Sequence, residues 1–140
     1  MPVVDASVVV DLIAPDRDPQ SRVVELAARW ARDGVDLVGP RLLQEEVLNA
    51  LLTGIRRRRW DGAAADGAAV LLDRLPIVLG DVHLDRDRAW ELARRYDDWP
   101  IYDMVYVALA ERLGEQLVTA DDRLRRRLAH LGWVVAPADA

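Results

Sequence analysis

Val3-Val4-Asp5-Ala6-Ser7 pairs two β-branched residues with a carboxylate, the pattern of a short buried strand that stops abruptly at an acid. Three later segments also set an acidic residue at the edge of an apolar run. These are Glu46 in Leu43-Gln44-Glu45-Glu46-Val47-Leu48-Asn49, Asp103 in Ile101-Tyr102-Asp103-Met104-Val105, and Asp121 in Leu117-Val118-Thr119-Ala120-Asp121. The hypothesis to be tested is that Asp5, Glu46, Asp103 and Asp121 meet in the folded chain and hold a divalent metal.

Five short apolar segments read as strands: the opening one, Asp36 to Gly39, Pro76 to Leu79, Gln116 to Thr119 and Trp133 to Val135. Helical patterns separate them. A helix begins near Ser7; others run from Gln20 to Asp33 with Val23, Leu26, Ala27 and Trp30 on one stripe, and from about Arg41 to Ile55, opened by Pro40. An amphipathic helix passes through Val70, Leu71, Leu72 and Leu75. His83 to Tyr96 is expected helical with Ala89, Trp90, Leu92 and Ala93 inward. From Met104 to Ala110 every residue is apolar, which in a helix means burial on nearly all sides. A last helix through Leu124, Leu128 and Leu131 precedes the final strand, and residues 136 to 140 read as a tail. Strands alternating with helices imply an α/β fold with a mostly parallel five-stranded sheet covered on both faces, and in such sheets function gathers at the carboxyl ends of the strands.

Helical phase separates the adjacent glutamates. With Leu43, Val47, Ala50 and Leu51 as the apolar stripe, Glu46 falls roughly 100° to one side and Glu45 about 160° away, so Glu46 stands at the core boundary while Glu45 faces water. The ordinary explanation for acids in such places is helix capping, which serves Asp103 and Asp121 one at a time. Gathering all four is different. Two like charges about 4 Å apart at an effective dielectric near 20 repel by roughly 4 kcal/mol, so a cluster needs a cation or must protonate. Without cysteine or clustered histidine, oxygen ligation suits magnesium or manganese rather than zinc or copper. Magnesium completes its shell with waters and phosphate oxygens, which points to phosphoryl chemistry.

Composition bounds the rest. The 140 residues, 51% hydrophobic and 31% charged, suit one globular domain. No apolar run approaches the ~20 residues that cross a bilayer, and nothing in the sequence suggests export; the absence of cysteine is compatible with a reducing cytoplasm. A net charge of −5 is the wrong sign for a nucleic-acid partner, so phosphate binding must rest on local patches. All 19 basic residues are arginine, with runs at Arg56-Arg57-Arg58-Arg59 and from Arg123 to Arg127; both are equally compatible with solvated helix faces.

Val4-Asp5-Ala6-Ser7, Pro40 with Glu46-Val47-Leu48-Asn49-Ala50-Leu51, Tyr102-Asp103 through Ala110, and Leu117 through Asp121 together resemble the PIN-domain family across nearly the whole chain. More narrowly, motif order and length are similar to the VapC-type toxins of bacterial toxin-antitoxin pairs. The resemblance implies a single domain over residues 1–140 with a three-layer α/β/α sandwich and magnesium- or manganese-dependent endoribonuclease activity. It also implies a homodimer inhibited by a small antitoxin and no membrane association. By position it assigns Asp5, Glu46, Asp103 and Asp121 to the acidic ligands. Ser7 and Thr119 become their polar neighbours and Asn49 a supporting residue, while Asp122 matches no defined acid. Metal-activated water would then attack RNA in line. Arg56 to Arg59 are the favoured RNA contacts, ahead of the Arg123 run. His83 and His130 lie outside the acidic motifs, which disfavours a metal-free mechanism needing histidine acid and base. Two alternatives stay open: a catalytically silent binding module whose acids only cap helices, and a phosphatase that starts from a strand-end aspartate but here has Ser7 where a second aspartate belongs.

Overall fold

Each strand is only a few residues long, so side-by-side pairing through crossover helices, rather than strand length, defines the sheet. The computed structural model describes the backbone of residues 1–140 and every side chain except that of Val82. In chain order it contains β1 (Val3–Val4), α1 (Ala6–Ile13), α2 (Arg22–Asp33), β2 (Leu37–Pro40), α3 (Leu43–Arg56) and α4 (Gly62–Asp73). There follow β3 (Ile77–Gly80), α5 (Arg86–Arg95), α6 (Ile101–Leu113), β4 (Leu117–Val118), α7 (Asp122–Arg127) and β5 (Val134–Val135). The strands lie in the order β3-β2-β1-β4-β5 and every pairing is parallel, so the sheet is wholly rather than mostly parallel.

That order has one reversal. The chain steps from β1 outward to β2 and β3, then crosses back to β4 beside β1 and continues to β5. Because parallel crossovers are right-handed, the two directions of travel place their helices on opposite faces. Helices α1 to α4 pack on one another on the first face, while α5, α6 and α7 cover the other, with α6 lying on β1, β2 and β4. The result is a three-layer α/β/α arrangement whose crevice opens beyond the carboxyl ends of β1 and β4.

The core follows the sequence periodicity. Met104 through Ala110 are all buried, as an unbroken apolar run requires. Helix α2 is capped by Ser21, whose hydroxyl accepts from the Val24 amide at 3.2 Å, and ends at Gly34 in the left-handed region with φ 65°. Among the described residues no helix is long and apolar enough to cross a membrane.

Several expected boundaries differ. Pro40 closes β2 instead of opening α3. In β2 the amides of Leu37 and Arg41 donate toward β3 and that of Val38 toward β1, so the donor Pro40 lacks would face the side where β1 has already turned into α1. Trp90 is 63% exposed rather than inward, because Ala89, Leu92 and Ala93 suffice to seat α5 on α6. Helix α5 begins at Arg86, after a separate 3-10 turn over Val82–Leu84, and α4 begins earlier than expected because Asp61 caps it through the Ala64 amide at 2.8 Å. The last helix breaks at Leu128 into a 3-10 turn, Ala129–Leu131. The terminal residues form a further 3-10 turn, Pro137–Asp139, that packs on α2 rather than trailing free.

One close approach tests this packing. A methyl at Gly54 would lie 2.0 Å from the Trp60 ring, which is locked by its Nε1 donating to the Leu51 carbonyl at 2.9 Å. Gly67, within α4, has nothing nearby. Gly54→Ala should therefore destabilise by about 2 kcal/mol despite better helix propensity, whereas Gly67→Ala should stabilise by about 0.5–1 kcal/mol. Urea unfolding of both variants measures the two signs.

Candidate active site

Asp5 leaves β1 at the reversal of strand order and is only 7% exposed. Its amide still donates to the Val118 carbonyl at 3.0 Å, the last rung between β1 and β4. Two hydroxyls converge on its Oδ2: Ser7 Oγ donates at 2.7 Å and Thr119 Oγ1 at 2.7 Å. Each hydroxyl accepts in turn from the loop after β4, Ser7 from the Ala120 amide and Thr119 from the Asp121 amide, both at 3.0 Å. The carboxylate is thereby fixed by a small network that ties the turn after β1 to the turn after β4. Burial raises the Asp5 pKa; the two hydroxyls lower it again, and the charge of Asp121 adds to the rise.

Glu46 and Asp103 enter from helices on opposite faces, each in the first turn of an element that starts at the carboxyl edge of the sheet. As helical phase predicts, Glu46 is partly buried and Glu45 exposed. Burial lifts the Glu46 pKa to about 7, with the nearby Tyr106 hydroxyl opposing and the charges of Asp5 and Asp103 adding to the rise. Asp103 is raised chiefly by burial, then by Asp5 and Asp121, while the Trp99 indole and Arg123 work against the shift. Trp99 Nε1 donates to Asp103 Oδ2 at 2.7 Å. Asp103 therefore does not cap its helix; a neighbouring indole aims it. Asp121 does cap: its Oδ1 accepts from the amides of Arg123 at 2.9 Å and Leu124 at 3.1 Å. The structure thus brings Asp5, Glu46, Asp103 and Asp121 within reach of one another's charge, with Ser7 and Thr119 hydrogen-bonded into the same crevice.

The other expected residues sit further out. Asn49 lines a groove of about 330 Å³ that runs from Glu46 along α3 to Arg57 and Arg59, and its side chain joins none of the carboxylates. The Arg56 to Arg59 run is no uniform face: Arg56 donates to Thr53, Arg58 adopts φ 58°, and Arg59 is held doubly by Asp16. Asp122 pairs with Arg125. His83 is exposed, and His130 bonds the Tyr96 hydroxyl at 3.0 Å. Two participants were missed in the sequence. Tyr106 passes for one more apolar residue of α6, yet its hydroxyl is buried beside Glu46. Trp99 reads as turn, although its spacing of four from Asp103 is the available signal.

Three observations suit a hard divalent cation. The donors are all oxygens. Glu46 Oε1 is buried without a hydrogen-bond partner, as is the Tyr106 hydroxyl, an arrangement outside hydrogen-bond geometry although the two groups affect each other's charge. Each aspartate has its hydrogen bonds from neighbouring groups gathered on a single oxygen: Oδ2 of Asp5, Oδ2 of Asp103 and Oδ1 of Asp121. Among the described residues no three acidic or histidine side chains are gathered closely enough to hold an ion by themselves.

Comparison with known proteins places this geometry. The PIN domain family matches residues 3–128. Ribonuclease VapC3 of Mycobacterium tuberculosis, in strains CDC 1551 and H37Rv, is 36% identical over 124 residues, covering 89% of this chain and 85% of the relative. The crystal structure of Mycobacterium tuberculosis VapC20, a sarcin-ricin loop cleaving toxin, superposes with a TM-score of 0.69 at 20% identity, covering 96% of this chain and 97% of that one.

The raised acids carry a sign. In metal-free protein Glu46 holds its proton up to about pH 7, well above its ordinary value of 4.5, so between those limits the folded state binds more protons than the unfolded chain. Stability is therefore full below the lower limit and is lost as pH rises through the upper one. Metal-free protein should melt at a lower temperature at about pH 8 than at about pH 5, and Glu46→Gln should flatten that decline. Calorimetric scans of both proteins across this range measure it.

Proposed function

This chain belongs to the PIN-domain family, and on that premise we propose that it is a divalent-metal-dependent endoribonuclease, the toxin of a toxin-antitoxin pair, acting as a single domain over residues 1–140. The observation that carries the proposal is the convergence of Asp5, Glu46, Asp103 and Asp121 at the one place where the strand order reverses, with Asp5, Glu46 and Asp103 raised partly by one another's charge or that of Asp121.

Magnesium or manganese fits the donor set, and when bound it lowers the pKa of a water and neutralises charge on phosphate oxygens. The chain's own groups do the rest. Asp5, immobilised by Ser7 and Thr119, gives the site a fixed anionic floor. Asp103, aimed by Trp99, faces it from α6. Glu46, raised by burial and by the charges of Asp5 and Asp103 while no ion is bound, would give up its proton to join them around the cation. Asp121 keeps its place by capping α7 and leaves its remaining oxygen free of that cap. Capping explains Asp121 alone; Asp5 and Asp103 make no capping bond, which weighs against a silent module whose acids serve only as caps.

The partners that follow are RNA, a small antitoxin and a second copy of the chain, in the cytoplasm. Asp103→Asn should lower metal-dependent cleavage of RNA more than about 100-fold while leaving the fold intact, since loss of an outer partner alone commonly costs about 10–100-fold. Chelation should abolish cleavage, and products should end in 5′-phosphate and 3′-hydroxyl. Cleavage that survives chelation, or that leaves 2′,3′-cyclic phosphate, would refute the proposal.

A further inference from the structure

The turn between α5 and α6 is held in an unusual conformation. Asp97 and Asp98 are consecutive non-glycine residues at φ 60° and 58°, in the left-handed region that L side chains seldom adopt. At the surface Arg127 pairs with Asp97 at 3.1 Å, and Arg94 pairs with Asp98. The turn delivers Trp99 to Asp103, whose carboxylate holds the indole. The indole edge donates to Asp103 Oδ2, its face carries the Arg123 guanidinium 5.4 Å from the ring centroid, and Arg127 lies 4.9 Å over the Tyr96 ring alongside. Trp99, Arg123, Arg126 and Arg127 line an open groove of about 360 Å³, joined to the acidic site through the Trp99–Asp103 hydrogen bond.

An accessible aromatic, rather than charge, distinguishes this groove from the Arg56 to Arg59 run. There Arg59 is committed to Asp16 and stacks on the buried Trp60, while Arg56, Arg57 and Arg58 are exposed and, among the described residues, pair with no carboxylate; here Trp99 is only partly buried. Within the second run Arg125 and Arg127 have carboxylate partners, whereas Arg123 and Arg126, among the described residues, have none and are exposed. In a chain of net charge −5, two unpaired guanidinium groups beside the acidic crevice are well placed to grip a polyanion. An aromatic plate with neighbouring arginines is also the combination that holds single-stranded nucleic acid without reading its sequence.

We infer that this groove is a nucleotide subsite for single-stranded RNA: Arg123 and Arg126 bind the phosphate next to the cleaved bond, and its base stacks against the Trp99–Arg123 pair. The inference rests on the nuclease function proposed above and assigns the RNA grip to α7 and the α5–α6 turn rather than to the end of α3.

The test measures binding of a fluorescein-labelled single-stranded oligoribonucleotide of mixed sequence to protein carrying Asp5→Asn, which binds without turnover, over a series of salt concentrations. Adding Arg123→Gln and Arg126→Gln together should reduce the slope of log affinity against log salt by about 0.7, the value for one phosphate on a single strand. Trp99→Leu should weaken binding by about 5- to 100-fold, and should leave binding of an abasic oligomer of the same length unchanged. A slope and affinity unaffected by the arginine pair, while the unsubstituted protein still cleaves RNA, would overturn the subsite and leave the nuclease function standing. Unchanged RNA binding with weakened capture of an acidic antitoxin peptide would equally overturn it, giving the groove to a protein partner. A parent protein that neither binds nor cleaves RNA would instead defeat the function on which the subsite depends.

Discussion

Two hydroxyl groups meeting on one oxygen of Asp5 hold together the seam on which the rest of the molecule depends. Ser7 comes from the first turn of α1 and Thr119 from the residue just after β4, so their hydrogen bonds join the two central strands where backbone pairing has run out. A carboxylate this buried is costly without donors, and hydrogen bonds to its charged form offset part of that cost. The same bonds fix its direction. With Asp5 set, the reversal of strand order fixes which elements can surround it: α3 brings Glu46 from one face, α6 brings Asp103 from the other, and the cap of α7 brings Asp121.

Such an arrangement works against stability. Burial raises Asp5, Glu46 and Asp103, and each is raised further by the charge of at least one other acid of the site, so the fold concentrates unfavourable charge where apolar side chains would have packed at lower cost. The remaining core is conservative by comparison: the fully buried stretch of α6 and the tightly packed Gly54–Trp60 contact supply ordinary apolar packing that tolerates the strained crevice. Functional sites are where locally unfavourable choices persist because the surroundings over-determine them.

Much of this was legible in the sequence. Period and length distinguished strands from helices, and the run from Met104 announced a helix buried on every side. Phase along α3 was enough to choose Glu46 over Glu45. What escaped were features set by tertiary contact. Pro40 looked like a helix opener because its missing donor suits that position equally well; only the early end of β1 makes it tolerable in a strand. Trp90 was placed inward by its hydrophobicity, yet α5 needs only small and aliphatic residues against α6. Tyr106 hid in an apolar run whose one polar atom matters most, and the sequence ranked Arg56 to Arg59 ahead of the Arg123 run because neither the tie of Arg59 to Asp16 nor the place of Trp99 beside Asp103 is visible without the fold.

On the proposed function, the acids at this crevice must release protons to receive a cation. Calorimetric titration of manganese or magnesium just below neutral pH, repeated in buffers of different ionisation enthalpy, measures binding and proton release together. Saturable binding with net proton release is the predicted result, the release diminished by Glu46→Gln because that carboxyl titrates at about 7. Absence of binding, or binding without proton release and indifferent to Glu46→Gln, would contradict it.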